Sequence, residues 1–159
     1  MEKKAKILLI DDDPDFVEVT RKVLEKGESY QVVIAVNGKE GLEKAKKEKP
    51  DLILLDILMP VTDGFGFAEQ FSKERSLRNI PVLALTSFST SLGEPFAFDV
   101  AEFIRKPVGP RDLIERVEKH LKRAAEKAET RAVKVSPKRR PASAKPRPKA
   151  PARTSKRPK

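Results

Sequence analysis

The order of apolar segments predicts an α/β fold, a five-stranded parallel sheet with helices on both faces. Three observations carry that expectation. Short apolar runs of strand length alternate along the chain with longer stretches of helical period. The runs Ile7-Leu8-Leu9-Ile10 and Leu52-Ile53-Leu54-Leu55 are continuous rather than alternating, as in strands covered on both faces. Polar residues capable of chemistry stand at the ends of those runs, where open parallel sheets meet their ligands.

Each element has its own local reason. Ala5 to Ile10 reads as the first buried strand. Pro14 suits the first turn of the next helix, where a missing N–H costs nothing, and Phe16, Val19, Val23 and Leu24 fall near helical spacing. Gly27 ends that helix. Gln31 to Val36 is a second strand rich in β-branched residues, with Asn37-Gly38 as its turn. Leu42 and Ala45 mark a short amphipathic helix that stops before Pro50. Leu52 to Leu55 is the third strand, and a helix follows from Gly64 to about Ser76. Pro81 to Leu85 supplies the fourth strand. Gly93 and Pro95 then interrupt the stretch from Ser87 to Val100, so the fourth helix is expected to be short or irregular. Phe103 and Ile104 mark a short fifth strand that ends at Lys106-Pro107. Pro110 and Asp112 open a final helix with Leu113, Ile114, Val117 and Leu121 facing inward. His120, near the end of that helix, is expected at the surface.

The 159 residues, 38% hydrophobic and 36% charged, suit one ordinary domain with a modest core. The net charge of +10 is unevenly spread. Residues 131–159 hold twelve of the 34 Lys and Arg and none of the 24 Asp and Glu, leaving 22 basic against 24 acidic residues before them. A near-neutral globular part thus precedes a basic tail. The expected division is a folded domain over 1–129 and a disordered Pro/Ala/Lys/Arg-rich tail over 130–159, which has too little apolar surface to offset its ordering entropy. The absence of cysteine excludes disulfides, thiolate zinc sites and thiol catalysis. No run reaches the length of a membrane span, and the apolar run after Lys6 is too short for a signal peptide, so a cytoplasmic protein is expected.

The stretch Asp51 to Gly64 is the most informative. Its strand delivers one carboxylate, Asp56, to its end, followed by Met59-Pro60 and Asp63-Gly64. The first strand ends in Asp11-Asp12-Asp13. If the two strands are parallel neighbours, their carboxylates meet at one sheet edge and repel unless a hard divalent cation lies among them. Oxygen-rich ligation with room for water and phosphate oxygens suits magnesium. Thr86 and Lys106 also stand at strand ends.

Those residues, in that order, resemble the receiver domain of bacterial two-component response regulators, the chemotaxis-protein-Y-like variant of the flavodoxin-like fold, over about residues 4 to 123. The resemblance implies that Asp56 accepts a phosphoryl group from a histidine kinase or phosphotransfer protein. It implies that Asp11 and Asp12 hold Mg2+, with Asp56 and the backbone carbonyl of Leu58 completing the protein ligands, while Asp13 caps a helix. Lys106 matches the lysine that pairs with the phosphoryl oxygens, Thr86 the hydroxyl residue that hydrogen-bonds the phosphorylated form, and Phe103 the aromatic switch position. Such a protein signals through its partners and turns over no metabolite; its only catalysis is its own phosphorylation and dephosphorylation. Leu58 and Phe88 occupy the positions that flank the phosphoryl group. Both are apolar and unable to orient water, which implies slow self-dephosphorylation.

The chain departs from the family pattern twice. Thr86 and Lys106 are twenty residues apart, slightly closer than the family's usual spacing, and Asp99-Val100-Ala101-Glu102 stands where a Gly-Ala pair commonly precedes the aromatic. Both departures fall on the face that usually carries output and dimerisation.

The basic tail has a reading of its own. Its cations fit a polyanion, and without Phe, Tyr or Trp it cannot stack on single-stranded bases. Nucleic-acid backbone, anionic lipid and acidic protein surfaces all remain open as partners for residues 131–159. Two alternatives follow: a nucleic-acid binder regulated by phosphorylation through its tail, and a phosphorylation-independent scaffold. A dehalogenase-type phosphatase also uses Asp chemistry but lacks this motif order.

Overall fold

A computed structural model describes residues 3–57, 59, 64–87 and 100–135. Strand β1 (Ala5–Ile10) leads to helix α1 (Pro14–Glu25), β2 (Tyr30–Ala35), α2 (Gly38–Glu48), β3 (Leu52–Asp56), α3 (Gly64–Lys73), β4 (Val82–Thr86), β5 (Glu102–Arg105) and α4 (Pro110–Val135). The strands form one sheet in the order β2-β1-β3-β4-β5, all pairs parallel. The fold class is the one the sequence predicts. Of the stretch from Ser87 to Val100 expected to hold a short or irregular fourth helix, residues 88–99 lie outside the described residues.

The continuous apolar runs are explained by two cores, one on each side of the sheet. Ile7, Leu9, Leu52, Leu54, Leu83 and Leu85 pack with Val17 and Leu24 of α1 and with Leu113 and Val117 of α4. Their neighbours Leu8, Ile10, Ile53 and Leu55 point the other way, toward Ala45 of α2 and Phe67, Ala68 and Phe71 of α3. Strand periodicity of two therefore places apolar side chains into both layers, and β3 is buried at every residue. With each fully buried Leu or Ile worth about 1.5–3 kcal/mol, these central strands supply most of the fold's driving force.

Local chemistry sets the helix ends. Asp13 caps α1, its side chain accepting from the backbone N–H groups of Asp15 and Phe16, with Pro14 in the first turn. Asn37 caps α2 by accepting from the Glu40 N–H. Gly41 in α2 lies so close to β1 that an added Cβ would stand 2.5 Å from Ile10 Cδ1, so any side chain there would force the buried Ile10 to shift. Helix α3 is shorter than expected. It ends at Lys73, where Glu74 takes an extended backbone, and Arg75–Leu77 form a separate 3-10 turn.

Two further expectations are corrected in α4. The helix continues through residues 130–135, which the sequence reading placed in the tail. Apolar periodicity fades there, but the segment extends the alanine-rich turns at Ala124, Ala125 and Ala128, with Arg131, Ala132 and Lys134 as good helix formers of its own. The remainder of the tail, 136–159, lies outside the described residues. His120 is buried, only 4% exposed, and not a surface residue. Its Nε2 lies 2.6 Å from Glu102 Oε2 at the start of β5, and Arg116 and Lys119 flank the same carboxylate. Burial alone would raise the Glu102 carboxyl, but the His120 hydrogen bond and the charges of Arg116, Lys119 and His120 outweigh it and hold the group below the ordinary glutamate range.

Replacing a mid-helix Gly by Ala ordinarily gains up to about 1 kcal/mol. At position 41 the collision with Ile10 reverses the sign, so Gly41→Ala should lower the urea-unfolding free energy by about 1 kcal/mol. Because the folded Glu102 pKa is depressed, its stabilisation is present above the unfolded value and is lost as pH falls through the folded value. Glu102→Gln should therefore cost about 1–3 kcal/mol at neutral pH and flatten the acid limb of stability against pH, measured by urea denaturation.

Candidate functional site

The strand register decides what meets at the carboxyl edge of the sheet. Ile10 pairs with Leu55, so Asp11 and Asp56, each one residue further on, leave adjacent strands side by side. Thr86 pairs with Arg105, and the Lys106 N–H donates to the Thr86 carbonyl at 2.8 Å. Four strand ends thus contribute Asp11 and Asp12, Asp56, Thr86 and Lys106 to one edge.

Asp11 is wholly buried, and Asp56 and Thr86 are 7% and 5% exposed. Two hydrogen bonds and a longer ion pair are among the contacts that organise the cluster. The Asp13 N–H donates to Asp11 Oδ1 at 2.9 Å, while Lys106 Nζ donates to Asp11 Oδ2 at 2.7 Å. Lys106 Nζ also lies 3.6 Å from Asp56 Oδ2. One ammonium therefore bridges two buried carboxylates that would otherwise repel across neighbouring strands. Burying such charges is tolerable only with a partner of this kind. The ammonium further sits 3.9 Å from the ring centroid of Phe16 on α1, where the aromatic face attracts it.

Asp11, Asp12 and Asp56 each offer a carboxylate oxygen, and these oxygens lie within 4.8 Å of one another. Asp12 is exposed, so the group opens to solvent on one side. An all-oxygen, carboxylate set with an open side fits a hard divalent cation that keeps some of its water.

The structure brings together Asp11, Asp12, Asp56, Thr86 and Lys106, all of which the sequence singles out. Phe103 stands apart, in β5 opposite Ala84 and 38% exposed. Leu58 and Phe88 lie outside the described residues. Sequence reasoning took Phe16 as an apolar face residue of α1 and missed its place beneath Lys106. No local signal could have revealed a contact between residues ninety positions apart.

Residues 7–118 match the response regulator receiver domain family. The chain belongs to that family. Receiver domains act in phosphorylation-controlled two-component signalling, so this chain is a signalling receiver. It is 36% identical over 123 residues to the alkaline phosphatase synthesis transcriptional regulatory protein PhoP of Bacillus subtilis, covering 75% of this chain and 49% of that protein. The chain thus spans about half the length of that curated relative. A receiver domain protein of Methanospirillum hungatei, described as CheY-like, superposes with a TM-score of 0.71 at 30% identity, covering 79% of this chain and 99% of that one. The receiver domain of a sensor histidine kinase from Pseudomonas aeruginosa shares the fold, with a TM-score of 0.67 at 23% identity over 75% of this chain and 98% of its own. That protein holds a magnesium ion in its active-site cleft. No described helix is long and apolar enough to cross a membrane.

A divalent cation that binds the folded protein raises its unfolding midpoint, and the loss of one ligand shrinks that rise. Asp12→Asn, at an exposed position, should leave the cation-free midpoint within a degree or two of wild type and remove most of the magnesium-induced increase in a thermal scan.

Proposed function

We propose that Asp56 is the phosphoacceptor, receiving a phosphoryl group from a phosphohistidine of a histidine kinase or phosphotransfer protein, and that the phosphorylated domain acts through partner contacts. The observation that carries this reading is the single ammonium, Lys106, held between Asp11 and Asp56 at the edge where Thr86 also ends its strand. An Asp56 carboxylate oxygen attacks phosphorus in line with the departing imidazole. The P–N bond breaks, an acyl phosphate forms, and the departing ring nitrogen keeps the bonding pair as a lone pair, leaving a neutral imidazole whose proton stays on its other nitrogen. Lys106 stabilises charge on the transferring oxygens from a position already within reach of Asp56. Thr86, at the end of β4, donates its hydroxyl to a phosphoryl oxygen once the group is in place.

Asp11, Asp12 and Asp56, with the Leu58 carbonyl, would hold Mg2+, which when bound neutralises charge on the phosphoryl oxygens. The carboxylate donor set supports this ligation. The new negative charge competes with Asp11 for Lys106, and the resulting shift of the β5 end carries the state toward Phe103, three residues upstream. The apolar residues Leu58 and Phe88 support a long-lived phosphorylated form.

An apolar groove of about 470 Å³ runs beside Lys106, lined by Phe16, Val19, Val23, Pro107 and Val108. Val19 is 61% exposed there, which supports docking of the phosphodonor next to the acceptor. The twelve unopposed cations of residues 131–159 support a second partner, a polyanion, with nucleic-acid backbone foremost.

Incubation with acetyl phosphate and magnesium should add one phosphoryl group by intact mass. Asp56→Asn should abolish the adduct, and chelation of magnesium should suppress it by at least about tenfold. An undiminished adduct in Asp56→Asn would overturn the assignment.

A further inference from the structure

Helix α4 changes character at residue 121. Up to that point its cations are paired: Arg111 with Glu115, Arg116 with Asp112 and Glu102, and Lys119 and His120 with Glu102. Beyond it, Arg123, Lys127, Arg131 and Lys134 are exposed and make no ion pair among the described residues. At 3.6 residues per turn these four fall within about 80° of one another, a single stripe roughly 17 Å long. The acids of the segment, Glu126 and Glu129, lie off that stripe. The helix then leads directly into a segment containing Lys138-Arg139-Arg140 and no acid.

We infer that this helical stripe binds the phosphate backbone of double-stranded DNA without sequence preference. The inference rests on the reading of the basic segment as a polyanion binder and extends it inward, into the folded domain. Charge complementarity favours a dense polyanion. B-form DNA carries one charge per about 1.7 Å of axis, so all four cations can be engaged at once. A free helix about 10–12 Å across fits the roughly 12 Å-wide major groove of DNA, whereas the deep, narrow major groove of an RNA duplex excludes it. Single strands are disfavoured because residues 121–159 contain no aromatic side chain. The opposite face of the extension carries Ala125, Ala128 and Ala132, too small to anchor a helix in a lipid bilayer.

The experiment is fluorescence anisotropy of a labelled mixed-sequence DNA duplex titrated with the full chain at several salt concentrations. The wild type should bind with affinity that falls steeply as salt rises. The variant Arg123→Ala, Lys127→Ala, Arg131→Ala, Lys134→Ala should bind about tenfold more weakly or worse, with a log–log salt slope shallower by roughly three to four. Alanine keeps helix propensity, and the equal-charge change Arg123→Lys, Arg131→Lys should bind like wild type. A control that removes four exposed cations elsewhere, Lys26→Gln, Lys39→Gln, Lys47→Gln, Arg78→Gln, should change affinity less than about threefold. A stripe variant that binds like wild type would overturn the inference while leaving the reading of the tail intact. No duplex binding by the wild type would overturn both. Tighter binding to an RNA duplex, or binding only to anionic vesicles, would overturn the assignment to DNA. The Asp56 adduct, measured on the same variants, reports separately on the phosphoryl site.

Discussion

Two carboxylates placed side by side at the end of a parallel sheet set the conditions that the rest of the site must meet. Asp11 and Asp56 leave adjacent strands in register, and both are removed from water. Left alone, such a pair would repel strongly in a medium of low dielectric. The chain answers with one cation from far along the sequence. Lys106 reaches back from the end of β5 to bridge both groups, resting on the Phe16 ring. The position of β5, the loop after it and the start of α4 are thereby tied to the electrostatics of β1 and β3. Any charge added at Asp56 must redistribute that ammonium, and this links the charge state of Asp56 to the geometry of the sheet's last strand.

The scaffold beneath the site is built to resist such redistribution everywhere else. The central strands β1, β3 and β4 are fully buried over most of their length, with apolar side chains driven into both layers. Close contact between Gly41 and Ile10 locks α2 against the strand that presents Asp11. The edge strand β5 is different in kind. It is four residues long, Phe103 is partly exposed, and its first residue is held by a charged cluster and not by apolar packing. Glu102 draws Arg116, Lys119 and His120 of α4 to itself, a polar clasp at a place where the family commonly has small residues. The clasp fixes the opposite end of β5 from Lys106, so the strand is pinned electrostatically at both ends.

The same helix that supplies the clasp also leaves the domain. Its paired half belongs to the fold, and its unpaired half presents cations to solvent. A single helix thus joins the strand that follows Thr86 and precedes Lys106 to a basic segment, with no hinge among the described residues. That continuity is a property of the helix backbone. The hydrogen-bonded ladder persists through Val135 because elongating the alanine-rich turns before it costs far less than starting a new helix.

What the sequence determined alone is what local periodicity and strand-end placement encode. Apolar runs of strand length alternating with helical patterns prescribe the parallel sheet, and five residues at the ends of those runs prescribe the site. Both follow from rules that act over a few residues. The tertiary structure decided whatever depends on contacts across long separations. Lys106 meets Asp11 and Phe16 only once β5 and β1 lie in the same sheet. His120 looks like a surface residue until β5 places Glu102 against it, because burial of a polar side chain is set by the partner it finds. The end of α4 likewise escaped a reading based on apolar period, since beyond residue 129 the helix is held by backbone propensity and not by a buried face.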